Sequence, residues 1–171
     1  PFNQYKSTDI EYEQALSYIK DNLFYILNEE DLTVDSVLSS AKALVKSKGI
    51  KILVLDPYNR FDHRYNDSET QYISRFLDKL TNFARFNNVL VILVVHPVKM
   101  TKNAENKYNI PTLYDIAGSA NFYNKTDYGL TVYRRTSTDN TMINEINVYW
   151  QKIKFKHLGK QGCSELKYNY N

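Results

Sequence analysis

Residues 50–59 read IKILVLDPYN, and their apolar run stops abruptly at the carboxylate of Asp56. Residues 51–55 are continuously apolar after Lys51, which is typical of a strand buried on both faces of a parallel sheet. A second apolar run, residues 89–95, stops at His96. A helical pattern separates the two runs, and strand, helix, strand in this order predicts a βαβ unit with parallel strands. The chain is therefore expected to adopt an α/β fold.

Helical patterns flank these strands. Thr8 and Glu11 have the spacing of a capping box at the start of a first helix. A stripe of apolar residues over 34–45 predicts a second helix, which Gly49 ends. Ser68 and Gln71 repeat the capping-box spacing before a long amphipathic helix that ends at residues 87–88. Residues 24–27, 129–133, 143–155 and 164–168 are predicted strands and residues 114–124 a short helix, with the last strands forming an antiparallel edge of the sheet.

The bulk composition predicts one ordinary soluble domain. The chain has 171 residues, of which 43% are hydrophobic and 24% charged. No apolar stretch approaches the roughly 18 residues that a membrane helix needs, so no membrane association is expected. The single cysteine, Cys163, cannot form an internal disulfide, which favours a reducing compartment. The net charge of +3 is too small to indicate a polyanionic partner by itself.

Asp56 and His96 are the first candidate site residues, because ligands of open α/β sheets bind at the carboxyl ends of the strands. A carboxylate in this position can orient Mg²⁺ beside nucleotide phosphates, and a histidine at the next strand end can hydrogen-bond a terminal phosphate. The alternatives are a turn-initiating aspartate before Pro57 and a structural buried histidine. The residues alone leave both interpretations open.

Two basic segments form the second group of candidates. In QKIKFKHLGKQG, residues 151–162, a strand would place Lys152, Lys154 and Lys156 on one face. This row could reach an anionic phosphate, or it could protect an exposed edge strand from aggregation. The loop over residues 97–113 carries several lysines and Tyr108, and could either contact a nucleic acid or be an ordinary surface loop.

Four successive motifs resemble one family. IKILVLDPYN, VILVVHPVKM, PTLYDIAGSANFYNKTDYGLTVYRR and QKIKFKHLGKQG are similar, in order and spacing, to motifs of the RecA-like motor domain of ring-shaped replicative helicases. The resemblance is to the primase-helicases of phages and bacterial Toprim-domain proteins, related to Twinkle and more distantly to DnaB, and it covers about residues 32–168. It implies a partial RecA-like P-loop NTPase core with a parallel sheet, flanking helices and antiparallel strands at the carboxyl terminus.

The resemblance also implies roles for the candidate nucleotide-binding residues. Asp56 matches the Walker B aspartate, which holds Mg²⁺ through water, and His96 matches the sensor of the γ-phosphate of ATP. Lys152 and Lys154 match the basic pair that reaches the nucleotide of the neighbouring subunit in a homo-oligomeric ring, expected to be a hexamer. Many relatives have arginine where this chain has Lys154, and lysine offers a point charge instead of a planar fork.

Two loops match those that follow single-stranded DNA through the central channel of the ring. They are residues 59–67 and residues 101–113. The implied DNA-binding residues in and beside them are Asn59, Arg60, Arg64, Lys99, Lys102 and Lys107.

The main departure from the family is that the sequence contains no G-x-x-x-x-G-K-[ST] phosphate loop. In the family this loop precedes the region matched here, so residues 1–171 are expected to be one partial domain, the carboxyl-terminal portion of an ATP-dependent DNA helicase, inactive alone. The alternative is a RecA-like nucleic-acid-binding or assembly module without ATPase activity.

Overall fold

A computed structural model describes residues 8–27, 32–62, 68–102, 104, 108–117, 119–136 and 142–167 of the chain. The helices are α1 (Asp9–Asn22), α2 (Val34–Lys48), α3 (Glu69–Asn87) and α4 (Ser119–Lys125). The strands are β1 (Ile52–Leu55), β2 (Leu90–Leu93), β3 (Tyr128–Thr136), β4 (Met142–Ile153) and β5 (Gly162–Lys167). Short 3-10 turns occupy Tyr58–Arg60, Leu113–Asp115 and Lys156–Leu158. None of the described helices is long and apolar enough to cross a membrane.

The helix ends follow the predicted capping signals. Thr8 and Glu11 form the reciprocal capping box of α1. Gly49 ends α2 in the left-handed conformation, with φ of 68°, and Asn88 ends α3 in the same way, with φ of 52°. The Ser68 hydroxyl accepts a hydrogen bond from the backbone N–H of Gln71 at the start of α3. The predicted second and third helices are thus confirmed.

Strands β1 and β2 are adjacent and parallel, as the βαβ pattern predicts. Ile52 pairs with Leu90 and Leu55 pairs with Leu93, so both strands end at the same edge. Beyond the last pair, the N–H of Val94 donates to the carbonyl of Leu55 at 2.9 Å. The N–H of Tyr58 then donates to the carbonyl of Val94 at 2.8 Å. These two bonds hold the segments that follow the strands side by side.

One face of this parallel pair carries the core. Leu53 and Leu55 belong to one buried cluster with residues of α2 and α3, and the two most deeply buried large side chains, Ile73 and Phe76, belong to α3. Burial of each such side chain stabilises the fold by about 1.5–3 kcal/mol. Phe76 also meets the ring of Tyr58 edge to face, with 5.1 Å between the ring centroids.

The expectation that β1 is buried on both faces is wrong within the described residues. Ile52 and Val54 are each 55% exposed, and Leu90 and Ile92 of β2 are also exposed on the same face. A continuous apolar run indicates that both faces of the strand suit an apolar environment. It does not indicate whether other described residues cover both faces.

Strands β3, β4 and β5 form an antiparallel sheet in that order. This confirms the predicted antiparallel strands at the carboxyl-terminal end. The described strands fall into two sheets, so these three are not hydrogen-bonded to β1 or β2. The register between β3 and β4 shifts between Gly129 and Leu130, where Lys152 and Trp150 are the successive partners. Gln151 is therefore the extra residue of a β-bulge.

Two predicted elements differ in the structure. Residues 24–27 are not a strand, because no described strand lies beside them to supply hydrogen bonds. The predicted helix over 114–124 is divided into the turn Leu113–Asp115 and helix α4. The division occurs because Ile116 is extended, with φ of −90° and ψ of 138°, which interrupts helical hydrogen bonding.

Candidate nucleotide and nucleic-acid site

Asp56 and His96 both lie just beyond the carboxyl ends of the paired strands. Asp56 follows β1 directly, and His96 comes three residues after the end of β2. Both side chains are exposed, and neither makes a hydrogen bond or ion pair with another described residue. Their exposure disfavours the alternative of a buried structural histidine. At this edge, both side chains are available to a ligand.

The first loop, residues 59–67, begins on a rigid anchor. Tyr58 and Phe61 are buried, and each ring meets Phe76 edge to face at 5.1 Å. Asn59 and Arg60 lie between these two anchors and are exposed. The start of the loop therefore presents an amide and a guanidinium to solvent shortly after Asp56. Arg64, the other predicted DNA-binding residue of this loop, lies outside the described residues.

From here on, the second loop means residues 97–113, the whole segment that contains the matched residues 101–113. It follows β2 and is closed at its base. The N–H of Val98 donates to the carbonyl of Asp115 at 2.7 Å, which joins the two ends of the loop. Further out, Lys102 and Tyr108 form an antiparallel bridge, and the Lys102 ammonium lies 5.4 Å from the centre of the Tyr108 ring. Lys99 and Lys102 are exposed. Lys107 lies outside the residues that the structure describes.

The bulge residue Gln151 fastens the far end of the second loop to β4. Its side-chain oxygen accepts from the N–H of Leu113 at 2.9 Å, and its side-chain nitrogen donates to the carbonyl of Pro111 at 2.8 Å. The hydroxyl of Thr131 on β3 also donates to Pro111, at 2.9 Å. A Cβ atom on Gly129 would clash with the side chain of Leu113, so the glycine allows close packing of the loop on β3. We call the two hydrogen bonds of the Gln151 side chain the Gln151 clamp.

Lys152, the next residue, binds the end of α4 in the same chain. Its ammonium donates to the backbone carbonyls of Tyr123 and, at 3.4 Å, Asn124, near the carboxyl end of α4. It also lies 4.8 Å from the centre of the Tyr123 ring. Burial lowers the pKa of Lys152, the positive charge of Lys154 lowers it further, and Asp127 opposes both effects. A cation here satisfies carbonyls that a helix end leaves without partners.

Lys154 lies past the end of β4. Its ammonium is 2.7 Å from a carboxylate oxygen of Asp127, and its side chain is 46% exposed. Because β4 ends at Ile153 and Lys156 lies in a 3-10 turn, the strand alternation expected for the three lysines does not extend to Lys154 and Lys156. Only Lys154 of the proposed basic pair is both exposed and held by a surface ion pair.

Sequence reasoning misses several residues of this region. The sequence presents Gln151 only as the start of a basic strand, and Tyr114 and Tyr123 only as packing residues. The two tyrosine rings stack with 4.7 Å between centroids at an angle of 22°. The only sequence signal for the clamp is that a glutamine, Gln151, directly precedes the row of lysines. No group of three or more His, Cys, Asp or Glu side chains that could hold a metal occurs among the described residues.

Comparisons with known proteins agree with this architecture. The chain is 34% identical over 163 residues to the Twinkle homolog protein, chloroplastic/mitochondrial, of Arabidopsis thaliana, covering 93% of this chain and 23% of that protein. It superposes with a TM-score of 0.69 and 21% identity on a solved ATPase domain, covering 96% of this chain and 58% of that one. A DnaB-like replicative helicase, solved in a study of its interactions with primase, superposes with a TM-score of 0.69 at 21% identity. The match covers 98% of this chain and 41% of that one.

The solved structures establish that the fold is RecA-like. The chain spans less than a quarter of the length of the Arabidopsis relative. Residues 3–170 match the family described as DnaB-like helicase C terminal domain, which is almost the whole chain. The chain belongs to the DnaB-like helicase C-terminal domain family.

Proposed function

We propose that this chain is the carboxyl-terminal part of the motor domain of an ATP-dependent replicative DNA helicase, of the primase-helicase type, which translocates on single-stranded DNA. The observation that carries the proposal is that both cation-bearing loops start at the sheet edge where Asp56 and His96 are exposed. A nucleotide at that edge could act on both loops through a few residues of backbone. The phosphate-binding loop and a Toprim primase domain would lie elsewhere in the full-length protein.

Asp56 suits the role of a Walker B aspartate. Mg²⁺ keeps several of its waters and is held by one or two carboxylates together with substrate phosphates, so a cluster of three protein ligands is not required. The exposed carboxylate of Asp56, which has no partner among the described side chains, can accept hydrogen bonds from such waters. When bound with ATP, the ion would supply neutralisation of the charge that develops on the phosphoryl group.

His96 suits the role of a link between nucleotide and DNA. Its ring is exposed and can hydrogen-bond a phosphate oxygen, and it lies two residues before Val98. Because Val98 is bonded to Asp115, a shift of His96 would be transmitted to both ends of the second loop. Loss of the γ-phosphate would thus change the position of the loop that holds DNA.

The cations of the two loops suit a phosphodiester backbone. Asn59, Arg60, Lys99 and Lys102 are exposed donors, and Arg64 and Lys107 extend the same loops in sequence. Contacts of this kind bind DNA with little dependence on base sequence and weaken as salt rises. That behaviour is what translocation over any sequence requires.

Lys154 is the residue that we propose to act across a subunit interface. Lys152 is occupied at the end of α4, whereas Lys154 is half exposed, paired with the surface carboxylate of Asp127 and 5.5 Å from the centre of the Phe155 ring. In a homo-oligomeric ring, proposed to be a hexamer, Lys154 would approach the nucleotide bound beside Asp56 of the next subunit. Lysine there would act as a point charge on phosphate.

The test is the ATPase activity of the full-length protein with and without single-stranded DNA, together with unwinding of a forked duplex. We expect DNA to stimulate hydrolysis and hydrolysis to drive unwinding. Binding of single-stranded DNA without any hydrolysis would favour the assembly-module alternative. We propose a bacterial or phage-infected cytoplasm as the compartment, and an organelle is the alternative suggested by the Arabidopsis relative.

A further inference from the structure

An exposed aromatic pair lies where the second loop meets the turn Leu113–Asp115. Tyr114 and Tyr123 stack with 4.7 Å between centroids and 22° between ring planes. Tyr114 nevertheless remains 60% exposed. A ring supported by another ring on one side and open to solvent on the other offers a flat surface on which a planar group can stack.

The position of Tyr114 is fixed by the backbone around it. The preceding N–H, that of Leu113, is held by Gln151 at 2.9 Å. The N–H of Tyr114 itself donates to the hydroxyl of Thr112 at 3.3 Å, and the N–H of Asp115 donates to the carbonyl of Thr112 at 3.0 Å. A ring held in this way loses little conformational entropy when it binds a ligand, which favours affinity.

The charge around the pair favours an anionic ligand with a planar part. The ammonium of Lys152 lies 4.8 Å from the centre of the Tyr123 ring, and Lys99 and Lys102 are exposed on the loop that leads to Tyr114. Proteins that bind single strands without sequence preference combine basic grooves with aromatic rings on which bases stack. Among the described residues, Tyr123 is the only aromatic ring that stacks on Tyr114.

We propose that Tyr114, supported by Tyr123, is a stacking platform for a nucleobase. The base could belong to single-stranded DNA held by the second loop or to a nucleoside triphosphate bound near the same edge. The first source rests on the proposed function, and the second does not require translocation. The other predicted contacts of this site are with phosphates, so the platform would add a contact with a base.

The experiment uses the full-length protein and the fluorescent base 2-aminopurine, whose emission is quenched on stacking. One arm places it in single-stranded DNA, and the other uses 2-aminopurine riboside triphosphate. Tyr114→Leu removes the ring, Tyr114→Phe keeps it, and Tyr18→Leu is a control on α1, where the tyrosine is also exposed. We expect quenching by the wild type and the Phe variant, little by the Leu variant, and a loss of affinity of at least about fivefold in the arm that holds the true ligand.

A second measurement changes the DNA as well as the protein. Wild type should bind a wholly abasic oligonucleotide at least about fivefold more weakly than normal DNA, and removal of the bases should cost the Leu variant less. Quenching in the triphosphate arm alone would assign the platform to the nucleotide. Equal binding and quenching by wild type and a folded Leu variant in both arms would overturn the proposal. Failure of the wild type to bind single-stranded DNA at all would instead overturn the proposed function and the DNA-bound form of the platform.

Discussion

The side-chain oxygen of Gln151 accepts a 2.9 Å hydrogen bond from the backbone N–H of Leu113, while its nitrogen donates to the carbonyl of Pro111. One side chain thus satisfies a donor and an acceptor of the loop backbone, as a neighbouring strand would. The residue after it is Lys152, which holds the end of α4. The Gln151 clamp therefore joins the second loop to the strand that leads to Lys154.

The first prediction concerns this clamp. Gln151→Leu keeps the approximate size of the side chain but removes both hydrogen bonds, so the N–H of Leu113 loses its partner. For a half-buried group this costs about 1–2 kcal/mol in the free energy of unfolding, measured by urea titration. Because the loop is no longer fixed to β4, we also expect the ratio of DNA-stimulated to basal ATPase activity to fall severalfold in the full-length protein.

Thr131→Val is the matched control for Gln151→Leu. It removes one donor to the carbonyl of Pro111 but leaves the bond from Gln151 in place. Its stimulation ratio should stay near that of the wild type. If both variants lower the ratio equally, or neither does, the clamp has no specific part in the response to DNA.

The clamp also marks the limit of what sequence alone could predict. The apolar runs and their spacing were enough for the parallel pair and for the shared edge at which Asp56 and His96 lie, because these depend on local pattern and on the handedness of βαβ units. The helix ends were equally predictable, since Gly49 and Asn88 act through their own backbone conformations.

The remaining features depend on partners distant in sequence. The bulge at Gln151 arises from the register of β4 against β3, which no property of β4 alone determines. The pairing of Lys152 with α4 joins residues 28 or more positions apart. Residues 24–27 have strand-like composition, but a strand also needs a neighbour that supplies hydrogen bonds. The apolar pattern of β1 likewise says nothing about which segment covers its second face.

A second prediction concerns Asp56. Asp56→Asn retains the shape of the side chain and removes the charge that would orient Mg²⁺. We expect ATP hydrolysis by the full-length protein to fall roughly 100- to 1,000-fold. The side chain is exposed, so the free energy of unfolding should change by no more than about 0.5 kcal/mol.

Asp21→Asn on α1 removes the same charge from another exposed position and should leave hydrolysis unchanged. A steady-state assay across a range of Mg²⁺ concentrations makes the comparison. Near-normal turnover by a folded Asp56→Asn protein would refute the metal-orienting role.

A third prediction concerns pH. Hydrogen bonds from the backbone N–H and then the hydroxyl of Thr112 lower the pKa of Asp115 below its ordinary value of 3.8. A carboxylate whose folded pKa is depressed contributes stability above its unfolded pKa and loses this contribution as pH falls toward the folded value. The amide of the Asp115→Asn variant does not titrate, so this variant lacks that pH-dependent contribution to stability.

The difference in unfolding free energy between the wild type and Asp115→Asn should therefore shrink as the pH is lowered from about 6 to about 3. Urea titrations across this range measure it. A difference that stays constant would show that the charge of Asp115 does not stabilise the base of the second loop.

The last prediction concerns Lys154 in the proposed ring. Lys154→Ala removes one surface ion pair with Asp127, and such pairs contribute no more than about 1 kcal/mol. The fold should therefore persist, whereas DNA-stimulated hydrolysis by the oligomer should fall strongly. Lys156→Ala, which removes an exposed lysine two residues further on, is the control and should remain active. Lys154→Arg should retain or raise activity, because the guanidinium offers the same charge with two parallel donors.

Subunit mixing distinguishes action across the interface from action within one subunit. In a mixture of Lys154→Ala and Asp56→Asn proteins, some interfaces combine an intact Asp56 from one subunit with an intact Lys154 from the other. These interfaces should restore part of the ATPase activity that each variant lacks. If subunits exchange and Lys154→Arg is active, but the mixture is no more active than its components at any ratio, then Lys154 serves the nucleotide of its own subunit or the ring requires every site intact. Mixing the wild type with increasing fractions of the Lys154→Ala protein separates these two cases. If the ring requires every site intact, activity falls far more steeply than the fraction of variant subunits rises.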